Sequence, residues 1–139
     1  MMRISLSTPR GLMLVRLSHE LSAEDFCSKA MPAADRMMAS CGAIPRLFID
    51  VRDFYGWEST EAVVQQIEFL RSFHRDIHHV ALFGDRHWRG AMPALAWLFV
   101  SSELRLIEPG DRRALRIWLS KRVSVSPQPE NSTEAARSD

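Results

Sequence analysis

The sequence of 139 residues has few cysteines, scattered glycines and almost no net charge. Cys27 and Cys41 are too few to frame a secreted domain and have no metal-ligand spacing, so we expect two buried thiols in a reducing compartment. The glycines form neither GxGxxG nor a P-loop, which argues against a nucleotide cofactor. A formal net charge of +1 gives no general attraction to nucleic acid.

Long apolar runs are also missing. Residues 1–18 carry three arginines and no continuous apolar stretch, so they do not resemble a signal peptide. The longest nearly unbroken apolar run, residues 90–100, is far shorter than the roughly 20 residues that span a bilayer. We therefore expect a soluble cytoplasmic protein. Residues 123–139 have no core-forming pattern and are predicted to be a disordered tail.

Residues 1–122 alternate between strand and helix patterns in the order ββαβαβαβα. Strands are predicted at residues 3–7, 12–18, 47–51, 79–84 and 103–107, and helices at 22–41, 60–74, 86–100 and 109–121. After the opening hairpin, this alternation requires right-handed crossovers. The fold class predicted is α/β, a single layer of mostly parallel β-sheet with helices packed on it.

Local features fix some helix ends. Ser22 is predicted to cap the first helix by accepting from the amide of Asp25, and Pro32 to kink or break that helix near residues 28–31. Ser59 or Thr60 is predicted to cap the second long helix, with Val63, Ile67 and Leu70 on its inner face.

Several segments occur in an order and spacing typical of one family. They are LSAEDF at the first helix start, a proline within that helix, LFIDVRDFYGW, VALFGDRHW and ALAWLF. In these respects the chain, over about residues 12 to 120, resembles the SpoIIAA-like proteins of the STAS superfamily, which share features with CRAL-TRIO lipid-binding domains. The resemblance implies a cytoplasmic bacterial protein without established catalysis. It also implies binding of an apolar ligand or a membrane surface, with helices that open away from the sheet.

The chain departs from its relatives at the usual phosphorylation motif. Anti-sigma-factor antagonists of this superfamily carry a phosphorylatable serine in an Asp-Ser-Ser-Gly type motif after the third strand. Here the sequence is Gly56-Trp57-Glu58-Ser59-Thr60, in which Glu58 would repel a phosphate and Trp57 crowds the approach. Ser59 is the candidate regulatory residue, but the departure argues against partner switching by phosphorylation.

Acid chemistry has three candidates, Asp50, Asp53 and Glu58, near the carboxyl end of a strand. No nucleophile or base at a recognisable spacing completes a catalytic set. The simpler interpretation is that Asp50 pairs with an arginine and that the other two acids stabilise a loop and a helix start. The five histidines show no metal-ligand spacing. We therefore predict no catalytic residues, no metal and no cofactor.

The predicted helix from residue 86 to residue 100 is apolar on nearly all sides. Its apolar surface is formed mainly by Trp88, Met92, Leu95, Trp97 and Phe99, and its positive charge lies at the start, at Arg86 and Arg89. Such a helix must be buried on several sides, contact a partner such as a second copy in a homodimer, or contact lipid or an apolar ligand. Arginines on the last helix would suit anionic head groups.

The leading prediction is a non-catalytic binding module for an apolar, lipid-like small molecule or an anionic membrane surface. The ligand would lie between the sheet and the helix at residues 88–99, with Phe54, Tyr55 and Trp57 at the mouth as an aromatic gate. The alternative is a STAS-type protein-interaction module in regulatory signalling, with the Ser59 helix as its partner surface. Catalysis by the acids is a third hypothesis.

Overall fold

The computed structural model describes residues 1–92 and 102–120, and within them a five-stranded sheet has the order β1-β2-β3-β4-β5. The strands are β1 Met2–Ser7, β2 Leu12–Leu21, β3 Ile44–Trp57, β4 Ile77–Phe83 and β5 Glu103–Ile107. β1 pairs antiparallel with β2, and every other neighbouring pair is parallel. The predicted α/β class with a mostly parallel sheet is confirmed.

The helical elements connect these strands. They are a 3₁₀ turn at Thr8–Arg10, α1 Ala23–Asp25, a π-helical turn at Phe26–Ala30, α2 Met31–Cys41, α3 Thr60–Phe73, a 3₁₀ helix at Arg86–Ala91 and α4 Arg112–Ser120. Residues 93–101 and 121–139 lie outside the described residues. The predicted disordered tail at 123–139 therefore stays a prediction.

The first helical segment is interrupted at Phe26–Ala30, just before Pro32, as the proline in the sequence predicted. The amide of Met31 donates to the carbonyl of Phe26, five residues back, which closes the π-helical turn. Pro32 then lies in the first turn of α2, and because it has no amide it cannot bond to a carbonyl of the preceding turn, which fits the interruption at this point. At the start of α1, Ser22 Oγ accepts from the Asp25 amide at 3.1 Å and Asp25 Oδ2 from the Ser22 amide at 3.0 Å, so the predicted cap is confirmed.

The sheet separates two apolar layers. Alternate residues of β2 point to opposite faces, so that Met13 and Val15 join the core beneath the π-helical turn, α2 and α3, while Leu12 faces α4. On the second face Trp118 of α4 packs against Phe48, with ring centroids 5.8 Å apart. The larger core lies on the first face, beneath three helical elements rather than one.

The third strand is much longer than predicted. β3 continues through residues 52–57, beyond the predicted strand end at residue 51, because β2 also continues to Leu21 and pairs with it. Two register shifts interrupt this pairing, one between Arg16 and Ser18 and one between His19 and Glu20. Each leaves an extra residue on β3, as in a β-bulge. Aromatic residues favour strands, so Phe54, Tyr55 and Trp57 in the sequence already indicated that the strand could continue.

The prediction of an α-helix from residue 86 is wrong over residues 86–91. Residues 86–91 form a 3₁₀ helix, whose last turn is closed by the Met92 amide on the Arg89 carbonyl, and Gly90 within it is a poor helix former. Asp85 caps this helix, with Oδ1 3.0 Å from the His87 amide. Residues 95, 97 and 99, three of the predicted apolar positions, lie outside the described residues.

Two predictions about burial are also wrong. Ile67 is exposed, and the buried residues of α3 are Ala62, Phe69, Leu70 and Phe73. Apolar residues occur around most of this helix, so that the pattern fits more than one inner face, and the two phenylalanines bury the larger surface. Cys27 is exposed, whereas Cys41 is buried as expected. Burial raises the pKa of the Cys41 thiol, which keeps it protonated and unreactive.

Candidate functional site

An apolar cavity of about 220 Å³ lies between the sheet and the helical layer formed by the π-helical turn, α3 and the 3₁₀ helix. Aliphatic side chains of the central strands, such as Leu47, Val80 and Leu82, form its floor, and Phe26 and Phe69 form its roof. A cavity this size is larger than the roughly 150 Å³ that admits benzene in an engineered protein core. It is smaller than the roughly 300–1,000 Å³ of drug-sized ligand sites.

Three aromatic side chains meet at the rim of this cavity. Phe54 lies edge-to-face with Trp57, with ring centroids 5.3 Å apart, and stacks on Trp88 at 6.2 Å. Trp57 Nε1 donates to Gln66 Oε1 of α3 at 2.5 Å. The three rings therefore join β3, α3 and the 3₁₀ helix around the opening.

A glycine allows Trp88 to reach this position. A Cβ atom on Gly84 would lie 2.9 Å from Trp88 Cδ1 and 2.8 Å from Val51 Cγ2, closer than side-chain atoms approach. The sequence suggested a glycine for the strand-to-helix turn, but the structure shows that the close approach of two side chains requires it.

Tyr55 does not lie with the rim aromatics. It is the extra residue at the second register shift, where His19 pairs with Phe54 and Glu20 with Gly56. A bulge redirects side chains, so that Tyr55 is 77% exposed and its ring lies edge-to-face with His19 at 6.0 Å. Because one residue is added, Phe54 and Trp57 both line the cavity.

The remaining predicted binding residues are placed as follows. Met92 is half-buried and packs against the larger core. Arg86 and Arg89 are exposed, and Arg89 donates to Glu108 Oε2 at 2.6 Å. Leu95, Trp97 and Phe99 fall outside the described residues, so their contribution to ligand or membrane binding stays a prediction.

Asp50 and Asp53 are each paired with an arginine, and Glu58 is exposed. Asp50 is held by Arg52, with Nε 3.0 Å from Oδ1 and Nη2 2.8 Å from Oδ2, which confirms its predicted pairing with an arginine. Burial acts to raise the pKa of Asp50, but hydrogen bonds from the Arg52 side chain and amide outweigh it, so the pKa lies below its ordinary value. Asp53 pairs with Arg16 at 3.2 Å. The Asp50 carboxylate, whose pKa is lowered, is a poor proton donor.

Ser59 acts as a helix cap in this structure. Its Oγ accepts from the Ala62 amide at 3.2 Å, as predicted for the start of α3. Among residues 1–92 and 102–120, no group of three His, Cys, Asp or Glu side chains could hold a metal ion.

An exposed apolar patch on α3 was not predicted. Val64 is 47% exposed and Ile67 52% exposed, and residues three positions apart are neighbours on a helix surface. Trp57, 42% exposed, precedes the helix. The sequence assigned Ile67 to the core, and only the packing of Phe69 and Phe73 shows which side faces outward.

None of the helices that can be described is both long enough and apolar enough to cross a membrane.

Comparisons with known proteins identify the fold. A family model described as SpoIIAA-like matches residues 12–120. An uncharacterized protein from Shewanella loihica PV-4 with a SpoIIAA-like fold is 21% identical, with a TM-score of 0.66 over 86% of this chain and 92% of that chain. The anti-sigma factor antagonist SpoIIAA in its unphosphorylated form is 14% identical, with a TM-score of 0.51 over 85% of this chain and 98% of that chain. No curated protein matches the sequence. The predicted resemblance to the SpoIIAA-like family is confirmed.

Proposed function

Because this chain belongs to the SpoIIAA-like family, we propose that it is a non-catalytic protein-interaction module that binds a regulatory partner in the cytoplasm through α3. Support comes from the fold it shares with SpoIIAA, an anti-sigma factor antagonist. The observation that carries the proposal is the exposed apolar patch of Trp57, Val64 and Ile67. The patch therefore favours a protein-interaction module over a module that binds an apolar ligand or a membrane.

The patch has the composition of a small interface. Its centre is apolar, and the exposed charged residues Glu61, Glu68 and Arg71 surround it. Apolar patches with a polar rim mark interaction sites, and tryptophan is enriched among the residues that dominate binding energy. The hydrogen bond from Trp57 to Gln66 fixes the indole before binding, which reduces the entropy lost on association.

Ser59 stands at the edge of this surface, where its hydroxyl already caps α3. A phosphate there would lie close to Glu58 and Glu61 in the sequence, and like charges repel. The proposed module therefore binds its partner without phosphorylation. If a Ser59→Glu variant no longer binds the partner, the binding surface includes the start of α3.

The test compares two matched isoleucines. Ile67 on α3 and Ile117 on α4 are 52% and 53% exposed, and the two helices lie on opposite faces of the sheet. Affinity capture from a host lysate with the full chain as bait should recover one partner with the wild type and with Ile117→Asp, and lose it with Ile67→Asp. All three proteins should show the same melting temperature. Equal recovery by both variants would contradict the proposal.

A second candidate function, binding of an apolar molecule, is favoured by the cavity beneath the rim aromatics. Its lining is almost wholly apolar, and its volume of about 220 Å³ fits a compact apolar group but not a whole lipid. A larger ligand requires Trp88 and the 3₁₀ helix to move outward. Arg86 and Arg89, exposed on that helix, would then face anionic head groups if the module docks on a membrane.

Two measurements test this second candidate. Native mass spectrometry of the purified chain should show a co-purifying apolar molecule, and vesicles that contain anionic lipid should sediment with the protein. Arg86→Ala together with Arg89→Ala should release the protein from vesicles but leave a ligand in the cavity. If neither association is seen with the wild type, the apolar-ligand and membrane hypotheses are wrong.

A further inference from the structure

A second depression, of about 420 Å³, lies where β1, β2 and the far half of β3 meet. Its walls are polar and charged, unlike those of the apolar cavity. Arg3 and Arg16 face it from directly opposed positions of the antiparallel pair β1–β2. Both arginines are exposed. We call this feature the Arg3–Arg16 depression.

The two arginines lie on the sheet face away from the apolar cavity. Their neighbours along the strands, Met2, Val15 and Leu17, line that cavity, and alternate strand residues point to opposite faces. α4 packs on this second face through Trp118, against Phe48. The depression is therefore separate from the apolar cavity.

Positive charge in the depression is only partly compensated. Arg16 lies 3.2 Å from Asp53 Oδ2 and 4.0 Å from Asp50 Oδ2, and Asp50 also holds Arg52. Arg3 forms no ion pair within residues 1–92 and 102–120. Among the residues that line the depression, two guanidinium groups thus face one carboxylate, Asp53. Like charges placed directly opposite each other across two strands destabilise the pairing unless an anion lies between them.

The backbone beside these arginines is strained. His19 has φ +58°, and among the described residues it is the only non-glycine with a positive φ. Such conformations persist where the surroundings impose them, and they cluster at ligand sites. The adjoining bulge turns Tyr55 outward, and the His19 and Tyr55 rings form one wall of the depression. The positive φ and the bulge occur at the same register shift, and together they present polar aromatic groups next to the arginines.

We propose that the Arg3–Arg16 depression binds a phosphate monoester. The planar guanidinium fork matches two phosphate oxygens, and a dianion between Arg3 and Arg16 removes their mutual repulsion. The volume exceeds that of a bare phosphate, which leaves room for the esterified group beside the Tyr55 ring. This site goes beyond the proposed function, since it involves neither α3 nor the rim aromatics.

The first test measures the affinity of the full chain for phenyl phosphate by titration calorimetry. Arg3→Ala should weaken binding about tenfold, the loss of one charge-assisted contact. Arg36→Ala removes the same charge from an exposed position on α2 and should leave the affinity unchanged. Asp53→Asn should strengthen binding several-fold, because it removes a carboxylate that competes for Arg16. Equal weakening by Arg3→Ala and Arg36→Ala would overturn the proposal, since it would indicate only general charge attraction.

The second test identifies the source of the phosphate. Inorganic phosphate and vesicles that contain phosphatidic acid are compared with phenyl phosphate, each with the wild type and Arg3→Ala. A site for free metabolites binds phenyl phosphate more tightly than inorganic phosphate and ignores vesicles. A head-group site binds the vesicles and loses them in Arg3→Ala. No binding of any of the three probes at physiological ionic strength would show that the proposal is wrong.

Discussion

Arg46 is a buried arginine whose charge faces the end of a helix rather than a carboxylate. It is 2% exposed. Its Nη1 donates to the carbonyls of Trp118 and Leu119 at 3.1 and 2.9 Å, and Nη2 donates to the carbonyl of Arg10 at 2.9 Å. Burial, and then the nearby Arg10, lower the pKa of Arg46. The last carbonyls of α4 carry partial negative charge, so Arg46 attaches α4 to the sheet, together with Arg10, whose Nη2 donates to the Leu119 carbonyl at 2.8 Å.

Arg46→Ala should therefore destabilise the protein by about 3 kcal/mol, because it removes the donor to the buried Trp118 carbonyl and opens a cavity beneath Trp118. Urea unfolding measures the loss, and hydrogen exchange should show that the amides of α4 lose protection first. Arg36→Ala, at an exposed position of α2, serves as the control and should change stability by less than about 0.5 kcal/mol. Similar losses in both variants would contradict the attachment of α4 by Arg46.

Asp50 makes the stability of the protein depend on pH. Its pKa in the folded chain lies below the ordinary value of 3.8 because the hydrogen bonds from Arg52 outweigh burial. A carboxyl whose pKa is lowered by folding stabilises the protein above its unfolded pKa of about 3.9. That contribution is lost as the pH falls through the folded pKa.

Asp50→Asn should therefore be less stable than the wild type at neutral pH, and the difference should shrink as the pH falls below about 4. Urea unfolding at a series of pH values measures it. Asp35→Asn, at an exposed position of α2, is the control and should follow the wild type throughout. A difference between Asp50→Asn and wild type that stays constant down to the lowest pH would refute the linkage.

At the scale of elements, local chemistry was predictable and long-range pairing was not. The caps at Ser22, Ser59 and Asp85 follow from side chains that bond to amides two or three residues away. The extension of β3 depends on β2, more than thirty residues away along the chain, and the charged residues between 50 and 53 resemble a loop. In the sheet those charges are paired with Arg16 instead.

The contact between β4 and the 3₁₀ helix gives a test at this scale. Gly84→Ala would place a Cβ 2.8 Å from Val51 and 2.9 Å from Trp88, so it should displace Trp88 and cost about 1–3 kcal/mol. A Cβ at Gly90 has no atom within 4 Å, and Gly90→Ala should be neutral or stabilising by up to about 1 kcal/mol. Thermal unfolding and tryptophan fluorescence compare the two variants. Equal effects would mean that Trp88 is not held against Gly84.

Across the whole molecule, part of the candidate site could be predicted. From the sequence, Phe54, Trp57 and Trp88 were predicted to belong to one binding site, and the structure places all three at the rim of one cavity. It could not exclude Tyr55, because a bulge that adds one residue reverses which side chains share a face. The cavity itself had no sequence pattern, since its volume depends on how well three helical elements fill the space above the sheet.

Two buried alanines distinguish an open cavity from a filled core. Ala30 lines the cavity, whereas Ala34 packs in the core of the same helical layer and is fully buried. Ala30→Leu should raise the free energy of unfolding by about 1–2 kcal/mol, because its added carbons occupy apolar space. Ala34→Leu should lower it by about 1–3 kcal/mol through overpacking.

Urea unfolding measures both free energies of unfolding. The sign of the change in Ala30→Leu shows whether the cavity is open space or a filled core. A gain means that the cavity is open space, and the same variant should then exclude benzene-sized molecules, as tested by NMR shifts of the rim aromatics. A loss as large as that of Ala34→Leu would mean that the cavity is already closed by its walls. The apolar-ligand hypothesis would then be abandoned, and the proposal of partner binding through α3 would remain.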